Sequence, residues 1–144
     1  MEDNKRTAPV LQVYNREQLT AAVQVAKDCG RPIALCDDGA MLEALGYGYM
    51  DALLEQGAEM ISSDGGDVDL VFDAGMDATM AIAALQNGYD HIRFTGDDAL
   101  MKKLEDIADS YGATLEQGEG VVLKVGKPEH MLARCMNWTN TREH

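Results

Sequence analysis

Basic residues are scarce in this chain of 144 residues, and their scarcity excludes two classes of partner. Lysine and arginine together number 12 against 25 aspartates and glutamates, so the formal net charge is −13. Because nucleic acids and anionic membrane surfaces are bound mainly through basic side chains, we expect neither as a partner. The acidity fits plain solubility, a cation site or a basic protein partner.

Long apolar runs and patterned cysteines are also missing. No run of about 18 apolar residues is present, so the sequence predicts no transmembrane helix. The polar segment from Met1 to Arg6 lacks the apolar stretch of a signal peptide. Cys29, Cys36 and Cys135 are odd in number and have no metal-ligand spacing. These absences predict a cytoplasmic protein held together by a hydrophobic core.

The familiar catalytic motifs do not occur either. The sequence has no Ser-His-Asp ordering, no nucleophile elbow, no Walker-type loop and no Gly-x-Gly-x-x-Gly turn after a strand. The three histidines, His91, His130 and His144, are scattered. We therefore expect no cofactor, with Mg²⁺ as the one alternative, and the balance leans away from an enzyme.

The chain does contain a regular alternation of helix and strand patterns. Helix-like runs end at Gly30, Gly57, Gly88 and Gly112, and short apolar or β-branched stretches lie between them. This alternation predicts an α/β fold: three layers around a mainly parallel sheet of five to six strands, flavodoxin-like in general appearance. The 46% hydrophobic content is enough for one core.

The same patterns predict how the chain is organised. We expect a flexible leader over residues 1–8, a single α/β domain over residues 9–126 and a helical tail over residues 127–144. Gly46 and Gly48 predict a kink or break in the second helix, since each glycine disfavours helix by about 1 kcal/mol. Residues 113–116 and 121–125 flank a four-residue loop, which predicts a C-terminal hairpin that adds an antiparallel edge strand.

Polar residues at the ends of the predicted strands form the candidate site, an acidic rim. Asp37 and Asp38 follow the second strand, Asp73 the third, and Thr95 and Asp97 the fourth. If the strands are parallel, these side chains meet at the edge where α/β folds usually bind ligands. Mg²⁺ could then be held by Asp38 and Asp73, or a small molecule could bind there.

Helix capping is the alternative explanation for these aspartates. An aspartate between a strand and a helix ordinarily accepts hydrogen bonds from the first helical amides. Asp38 and Asp97 fit that role. Asp73 does not, because Asp77 is better placed to cap the following helix, and Asp73 is therefore the strongest functional candidate.

The acidic rim also bears a local resemblance to the receiver domains of response regulators. It rests on Cys36-Asp37-Asp38, Asp73, Phe94-Thr95-Gly96 and Lys127-Pro128, within residues 32–136. The resemblance implies a phosphate-accepting Asp73, Mg²⁺ ligands at Asp37 and Asp38, a switch hydroxyl at Thr95 and a salt-bridging Lys127. The spacings between these residues differ from the receiver pattern, so the likeness is an analogy between motifs.

The leading hypothesis for function is a non-catalytic binding or regulatory module that acts through protein contacts and self-association. The apolar residues of the C-terminal tail and the segment Gly46-Tyr47-Gly48-Tyr49 supply the contact surface. A homo-oligomer is expected. The candidate interface residues are Tyr47, Tyr49, Met131, Met136 and Trp138.

Overall fold

The computed structural model describes residues 8–117, 123–125 and 128–137. Within these ranges the chain forms six strands and six helices. The strands are β1 Val10–Val13, β2 Ile33–Asp37, β3 Val68–Asp73, β4 His91–Phe94, β5 Thr114–Gln117 and β6 Leu123–Lys124. The helices are α1 Arg16–Cys29, α2 Leu42–Leu45, α3 Tyr47–Ser63, α4 Ala78–Gln86, α5 Asp98–Ser110 and α6 Pro128–Met136. A 3₁₀ turn at Gly39–Met41 precedes α2.

Local sequence signals start and stop the first helix. The Asn15 side chain accepts a hydrogen bond from the Gln18 backbone N–H at 2.7 Å, and the Gln18 side chain accepts one from the Tyr14 N–H at 2.7 Å. These bonds satisfy amides that a helix leaves without partners at its N-terminus. At the other end Gly30 adopts a left-handed conformation, with φ of 70°.

The break predicted in the second helix is confirmed. α2 ends at Leu45 and α3 begins at Tyr47, with Gly46 between them at φ 91° and ψ 154°. That backbone conformation is essentially restricted to glycine. Gly48 lies inside the first turn of α3 and causes no break.

The strands form one sheet in the order β5-β4-β3-β2-β1-β6, and every pairing is parallel. The predicted α/β class, with a mainly parallel sheet of six strands, is confirmed. The strand order differs from that of doubly wound flavodoxin-like sheets, in which the chain reverses direction. Here β1 to β5 are added one after another in the same direction.

The predicted C-terminal hairpin is wrong. Its two segments do form edge strands, but β5 pairs with β4 while β6 pairs with β1 at the opposite side of the sheet. Both pairings are parallel, whereas a hairpin is antiparallel. The alternating pattern identified the strands, but the register and neighbour of a short strand depend on distant residues.

The helices pack on one face of the sheet, which we call the outer face. Each of the six helices contributes buried residues to one apolar cluster, together with alternate residues of the strands. The strand residues of this cluster include Leu11, Leu35, Phe72, Ile92 and Leu115. Right-handed crossovers in a constant direction place successive helices on the same side of a sheet, which accounts for this arrangement.

The opposite face, which we call the inner face, is also buried. Val10, Ala34, Cys36 and Val71 form a small apolar cluster there, and none is more than 1% exposed. The neighbouring strand β4 places Arg93 on the same face, at 3% exposure. The shape of the sheet must therefore shield residues that the described helices do not cover.

Chain length explains how the sheet shields its inner face. In a flat sheet of this order, β5 and β6 would be separated by five spacings of about 4.8 Å, or about 24 Å. Only six residue steps separate Gln117 from Leu123. Fully extended, they span at most about 21 Å. The sheet therefore curls around its inner face, as parallel strands do in (β/α) barrels.

The final helix packs on the domain itself. α6 lies against α1, and its residues Met131 and Cys135 are buried in the core cluster. The Arg31 side chain, just after α1, donates a hydrogen bond to the Cys135 carbonyl at 3.2 Å. Most of the predicted leader, residues 1–7, lies outside the described residues.

In the part of the chain that the structure describes, no helix has the length and apolar character needed to span a bilayer.

Candidate active rim at the carboxyl ends of the strands

Two of the predicted site residues, Asp37 and Asp73, meet at the carboxyl ends of β2 and β3. An Asp37 side-chain oxygen, Oδ1, accepts a hydrogen bond from the Asp73 backbone N–H at 2.6 Å. The second oxygen of Asp37, Oδ2, is buried and has no hydrogen-bond partner among the described residues. Asp37 itself is completely buried, and Asp73 is 8% exposed. The parallel sheet thus brings these two aspartates together as predicted.

Burial changes the acidity of both side chains. Desolvation raises the pKa of Asp37 well above its usual range, and the nearby Asp73 carboxylate raises it further. Desolvation also raises the pKa of Asp73, but backbone amides and the Arg93 guanidinium oppose the shift. Asp37 is therefore the side chain that favours the neutral acid, whereas Asp73 has a compensating cation.

Asp73 belongs to a group of charged side chains on the inner face, which we call the inner-face ion cluster. The Arg93 Nε atom lies 3.9 Å from Asp73 Oδ2, and Arg93 Nη1 lies 3.9 Å from Glu116 Oε1. His91 Nδ1 lies 4.0 Å from Glu116 Oε2. Because Arg93 and Asp73 occupy paired positions on β4 and β3, the register of the sheet sets this arrangement.

Gly39 and Gly75 lie directly against the Asp73 carboxylate. A Cβ atom on Gly39 would lie 2.5 Å from Asp73 Oδ1 and 3.0 Å from the Gly75 nitrogen. Gly75 has φ of 62°, and its N–H donates to Asp73 Oδ1 at 2.9 Å. The loops that follow β2 and β3 therefore touch each other directly over Asp73, an approach that only residues without side chains permit.

A groove of about 590 Å³, which we call the rim groove, opens between these two loops. Its walls come from the segment between Gly39 and Gly46 and from the start of α4. Most of the lining is small or apolar, and two acidic residues contribute to it. The lining residues are Gly39, Ala40, Leu42, Glu43, Gly46, Ala74, Met76, Asp77, Ala78 and Met80.

The other rim residues have local structural roles. Asp38 accepts a hydrogen bond from the Ala40 N–H at 3.0 Å, and Asp97 accepts one from the Leu100 N–H at 2.8 Å. Both are the capping bonds offered as the alternative explanation. Thr95 donates its backbone N–H to the Gly75 carbonyl at 2.8 Å, which ties the loop after β4 to the loop over Asp73.

Among the described residues, no group of three or more histidine, cysteine, aspartate or glutamate side chains is arranged to hold a metal ion. Asp38 and Asp73, the predicted Mg²⁺ ligands, each accept one backbone amide bond at Oδ1, from Ala40 and Gly75 respectively. Lys127, the basic residue that the receiver resemblance implies, lies outside the described residues.

The predicted interface residues differ in their exposure. The Tyr47 ring packs on Phe72 with 4.9 Å between centroids, and Met131 is 2% exposed in the core. Tyr49 is 41% exposed at the start of α3, and Met136 is 59% exposed at the end of α6. Trp138 lies outside the described residues.

Sequence reasoning missed Arg93 and Glu116, the two charged residues that complete the inner-face ion cluster. A signal was present, because Arg93 stands between Ile92 and Phe94 in a predicted strand of alternating pattern. A charged residue in such a strand ordinarily has an ionic partner. The identity of that partner depends on which strands are neighbours, which the sequence does not reveal.

A second groove, of about 510 Å³, lies at the opposite end of the sheet. It is lined by residues at the ends of α1 and α3, among them Lys27 and Asp64, which form an exposed salt bridge of 3.2 Å. Ligands of parallel α/β folds gather at the carboxyl ends of the strands. The rim groove is therefore the better candidate for a binding site.

No model of a known protein family and no curated protein matches this sequence. Solved structures do resemble it. A Coccidioides immitis protein described as a candidate fructose-1,6-biphosphate aldolase matches with a TM-score of 0.62 and 18% identity, over 77% of this chain and 40% of that one. The YdjI aldolase of Escherichia coli K12 matches with a TM-score of 0.63 and 15% identity, over 77% and 45%.

This chain spans less than half the length of either solved protein. Identities of 15% and 18% show a shared fold and nothing about shared chemistry. The likeness agrees with the curled parallel sheet and its outer helices.

Proposed function

We propose that this chain is a non-catalytic binding module that holds a small molecule in the rim groove. The observation that carries the proposal is the position of the groove, between the loops after β2 and β3 at the carboxyl ends of the strands. Crevices at this end of parallel sheets are the usual ligand sites of α/β folds. The aldolase activity of the similar structures is not part of the proposal.

The lining of the groove favours an organic amine. Its small and thioether side chains suit an apolar body, while Glu43 and Asp77 are exposed carboxylates at its edge. Asp77 uses one oxygen to cap α4 and keeps a second for a ligand. The net charge of −13 also attracts cations and repels anions.

Arg93 argues against Mg²⁺ as the ligand. Its guanidinium lies 3.9 Å from the Asp73 carboxylate and supplies positive charge where the metal would have to bind. An amine held at the groove edge, near Glu43 and Asp77, avoids that repulsion.

The test uses phenethylamine and its carboxylate counterpart 3-phenylpropionate as probes, each titrated into ¹⁵N-labelled protein. We expect phenethylamine to shift the backbone amide signals of Ala40, Ala74 and Met76. The carboxylate should leave them in place, and the amides of Gly30 and Gly65 in the opposite groove should not move with either probe. Equal shifts with both probes, or shifts confined to the opposite groove, would contradict the proposal.

A pair of matched variants locates the binding. Ala40→Leu places a larger side chain in the lining of the groove, whereas Ala44→Leu adds the same atoms at an exposed position that does not line it. We expect the first variant to abolish the amine-induced shifts and the second to retain them. Retention by both variants would place the amine elsewhere.

Protein contact is the second candidate function, and the exposed thioether of Met136 is the observation that favours it. Met136 is 59% exposed at the end of α6, next to the terminal segment of the chain. Self-association through this end predicts a dimer for the full-length protein by light scattering. Met136→Lys should then shift the mass towards the monomer, while Met76→Lys, at a more exposed methionine on the rim, should not. A monomeric unmodified protein would remove this candidate.

A further inference from the structure

Cys29 and Cys135 lie at matching ends of two neighbouring helices. Cys29 is the last residue of α1, and Cys135 is one residue before the end of α6. The strands that precede these helices, β1 and β6, are adjacent and parallel, and the helices pack against each other. The carboxyl ends of α1 and α6 therefore lie side by side.

A hydrogen bond holds these two ends together. Arg31 follows Cys29 by two residues, and its Nη1 atom donates to the carbonyl oxygen of Cys135 at 3.2 Å. Packed helices lie about 8–10 Å apart, axis to axis. Two cysteines on the contacting sides of helices at that separation can reach the range of about 4.4–6.8 Å between Cα atoms that a disulfide requires.

The two thiols share one environment and differ in accessibility. Cys135 is fully buried in the core cluster, and the partly buried Cys29 packs against the same cluster. Burial raises the pKa of Cys135 to about 11, and the neighbouring Cys29 thiol is the next largest cause.

We propose that Cys29 and Cys135 are a redox modification site that closes into a disulfide and links α1 to α6. The reaction is thiol–disulfide exchange with a low-molecular-weight disulfide such as oxidised glutathione. The Cys29 thiolate attacks one glutathione sulfur, which releases a first glutathione thiolate and leaves a mixed disulfide. The Cys135 thiolate then attacks the Cys29 sulfur and releases the second glutathione, so two protein thiols are oxidised and one disulfide is reduced.

The accessible position of Cys29 explains why it reacts first. Cys36, the third cysteine, is fully buried on the inner face, and desolvation and the Asp37 and Asp73 carboxylates raise its pKa well above the usual value. It belongs to the inner-face cluster, whereas Cys29 and Cys135 belong to the outer-face cluster, so the sheet separates Cys36 from both thiols. Cys36 therefore serves as an internal control, a cysteine that should stay outside the disulfide.

The experiment incubates the full-length protein with oxidised and reduced glutathione at several ratios, traps free thiols with N-ethylmaleimide and identifies cross-links by peptide mass spectrometry. We expect a monomeric product lighter by two hydrogen atoms, with Cys29 joined to Cys135 and Cys36 alone alkylated after denaturation. Its midpoint of thermal unfolding should rise by about 5–10 °C, the usual effect of a disulfide in a chain of this size.

Variants separate this proposal from general thiol oxidation. Cys36→Ala should form the cross-link as the unmodified protein does, whereas Cys29→Ser should not form it and should keep Cys135 free. A stable glutathione adduct on Cys29 that never proceeds to the cross-link would overturn the proposal. A cross-link between two chains, or one that includes Cys36, would overturn it as well.

Discussion

The two faces of the curled sheet are built from alternate residues of the same strands, yet they differ in chemistry. The outer face, under the helices, carries large apolar side chains such as Phe72 and Ile92. The inner face carries small apolar residues on β1 to β3 and a set of charges, namely the buried Asp73 and Arg93 and the half-buried Glu116. The outer face supplies most of the apolar core, and the inner face holds the buried ion pair of Asp73 and Arg93.

This difference shows how a parallel sheet can combine stability with a polar interior. Helices supply a continuous apolar surface on the outer side, so large side chains pack densely there. Curvature closes the inner side without help from the described helices, which leaves room only for small residues or for charges that partner one another. The two faces come together at the carboxyl ends of the strands. By the alternation of side chains along each strand, Asp37 at the end of β2 belongs to the outer face and Asp73 at the end of β3 belongs to the inner face.

The largest expected effect comes from shortening Phe72 and Val71, two neighbouring residues of β3 whose side chains lie on opposite faces of the sheet. Phe72→Ala should lower the free energy of unfolding by about 3–5 kcal/mol, since it leaves a cavity between sheet and helices. Val71→Ala removes two methyl groups from the small inner cluster and should cost about 1.5 kcal/mol. Urea denaturation with circular dichroism measures both. Equal losses would mean that the inner face contributes as much to stability as the outer face.

A smaller effect is expected where the loops cross at the rim. Gly39→Ala should destabilise the protein by about 1–3 kcal/mol, since its Cβ would collide with Asp73 Oδ1 and press on Gly75. Gly48→Ala is the matched control, because a Cβ there meets no atom within 4 Å. Inside a helix that change should stabilise by about 0.5 kcal/mol. Urea denaturation of both variants measures the difference, and a Gly39→Ala protein as stable as the unmodified one would contradict the close approach.

The smallest effect concerns pH and distinguishes Asp37 from Asp73. The folded protein raises the pKa of Asp37, so it binds that proton more tightly than the unfolded chain does. Its contribution to stability is fully present below the unfolded pKa of about 3.9 and is lost as the pH rises through the raised folded pKa. Relative to Asp37→Asn, the unmodified protein should therefore lose stability between pH 4.5 and 8, by about 1 kcal/mol or more.

Asp73→Asn serves as the comparison, since Arg93 opposes the shift at Asp73. The pH-dependent difference between this variant and the unmodified protein should have the same sign and be smaller. Urea unfolding at the two pH values gives both differences. A larger pH-dependent difference for Asp73→Asn than for Asp37→Asn would reverse the assignment of the neutral acid.

Much of the fold could be predicted because its signals are local. Asp77 and Asp97 were recognisable as helix caps, and each accepts the expected hydrogen bond. The break at Gly46 followed from the low helix propensity of glycine. The candidate site was only partly predictable: Asp37 and Asp73 meet, while Asp38 and Asp97 satisfy helix ends instead.

The sequence by itself determined the α/β class, most of the strand and helix segments and the presence of aspartates at the strand ends. The helix end predicted at Gly57 is wrong, because α3 continues to Ser63 and packs Gly57 against Leu19 and Leu35. Hydrophobic periodicity and capping act over a few residues, so they can be identified from short stretches of the sequence. Only the tertiary structure decided that β6 joins β1, that Arg93 meets Asp73 and Glu116, and that Cys135 lies beside the end of α1. Those contacts join residues far apart in the chain, and they depend on the order and curvature of the whole sheet.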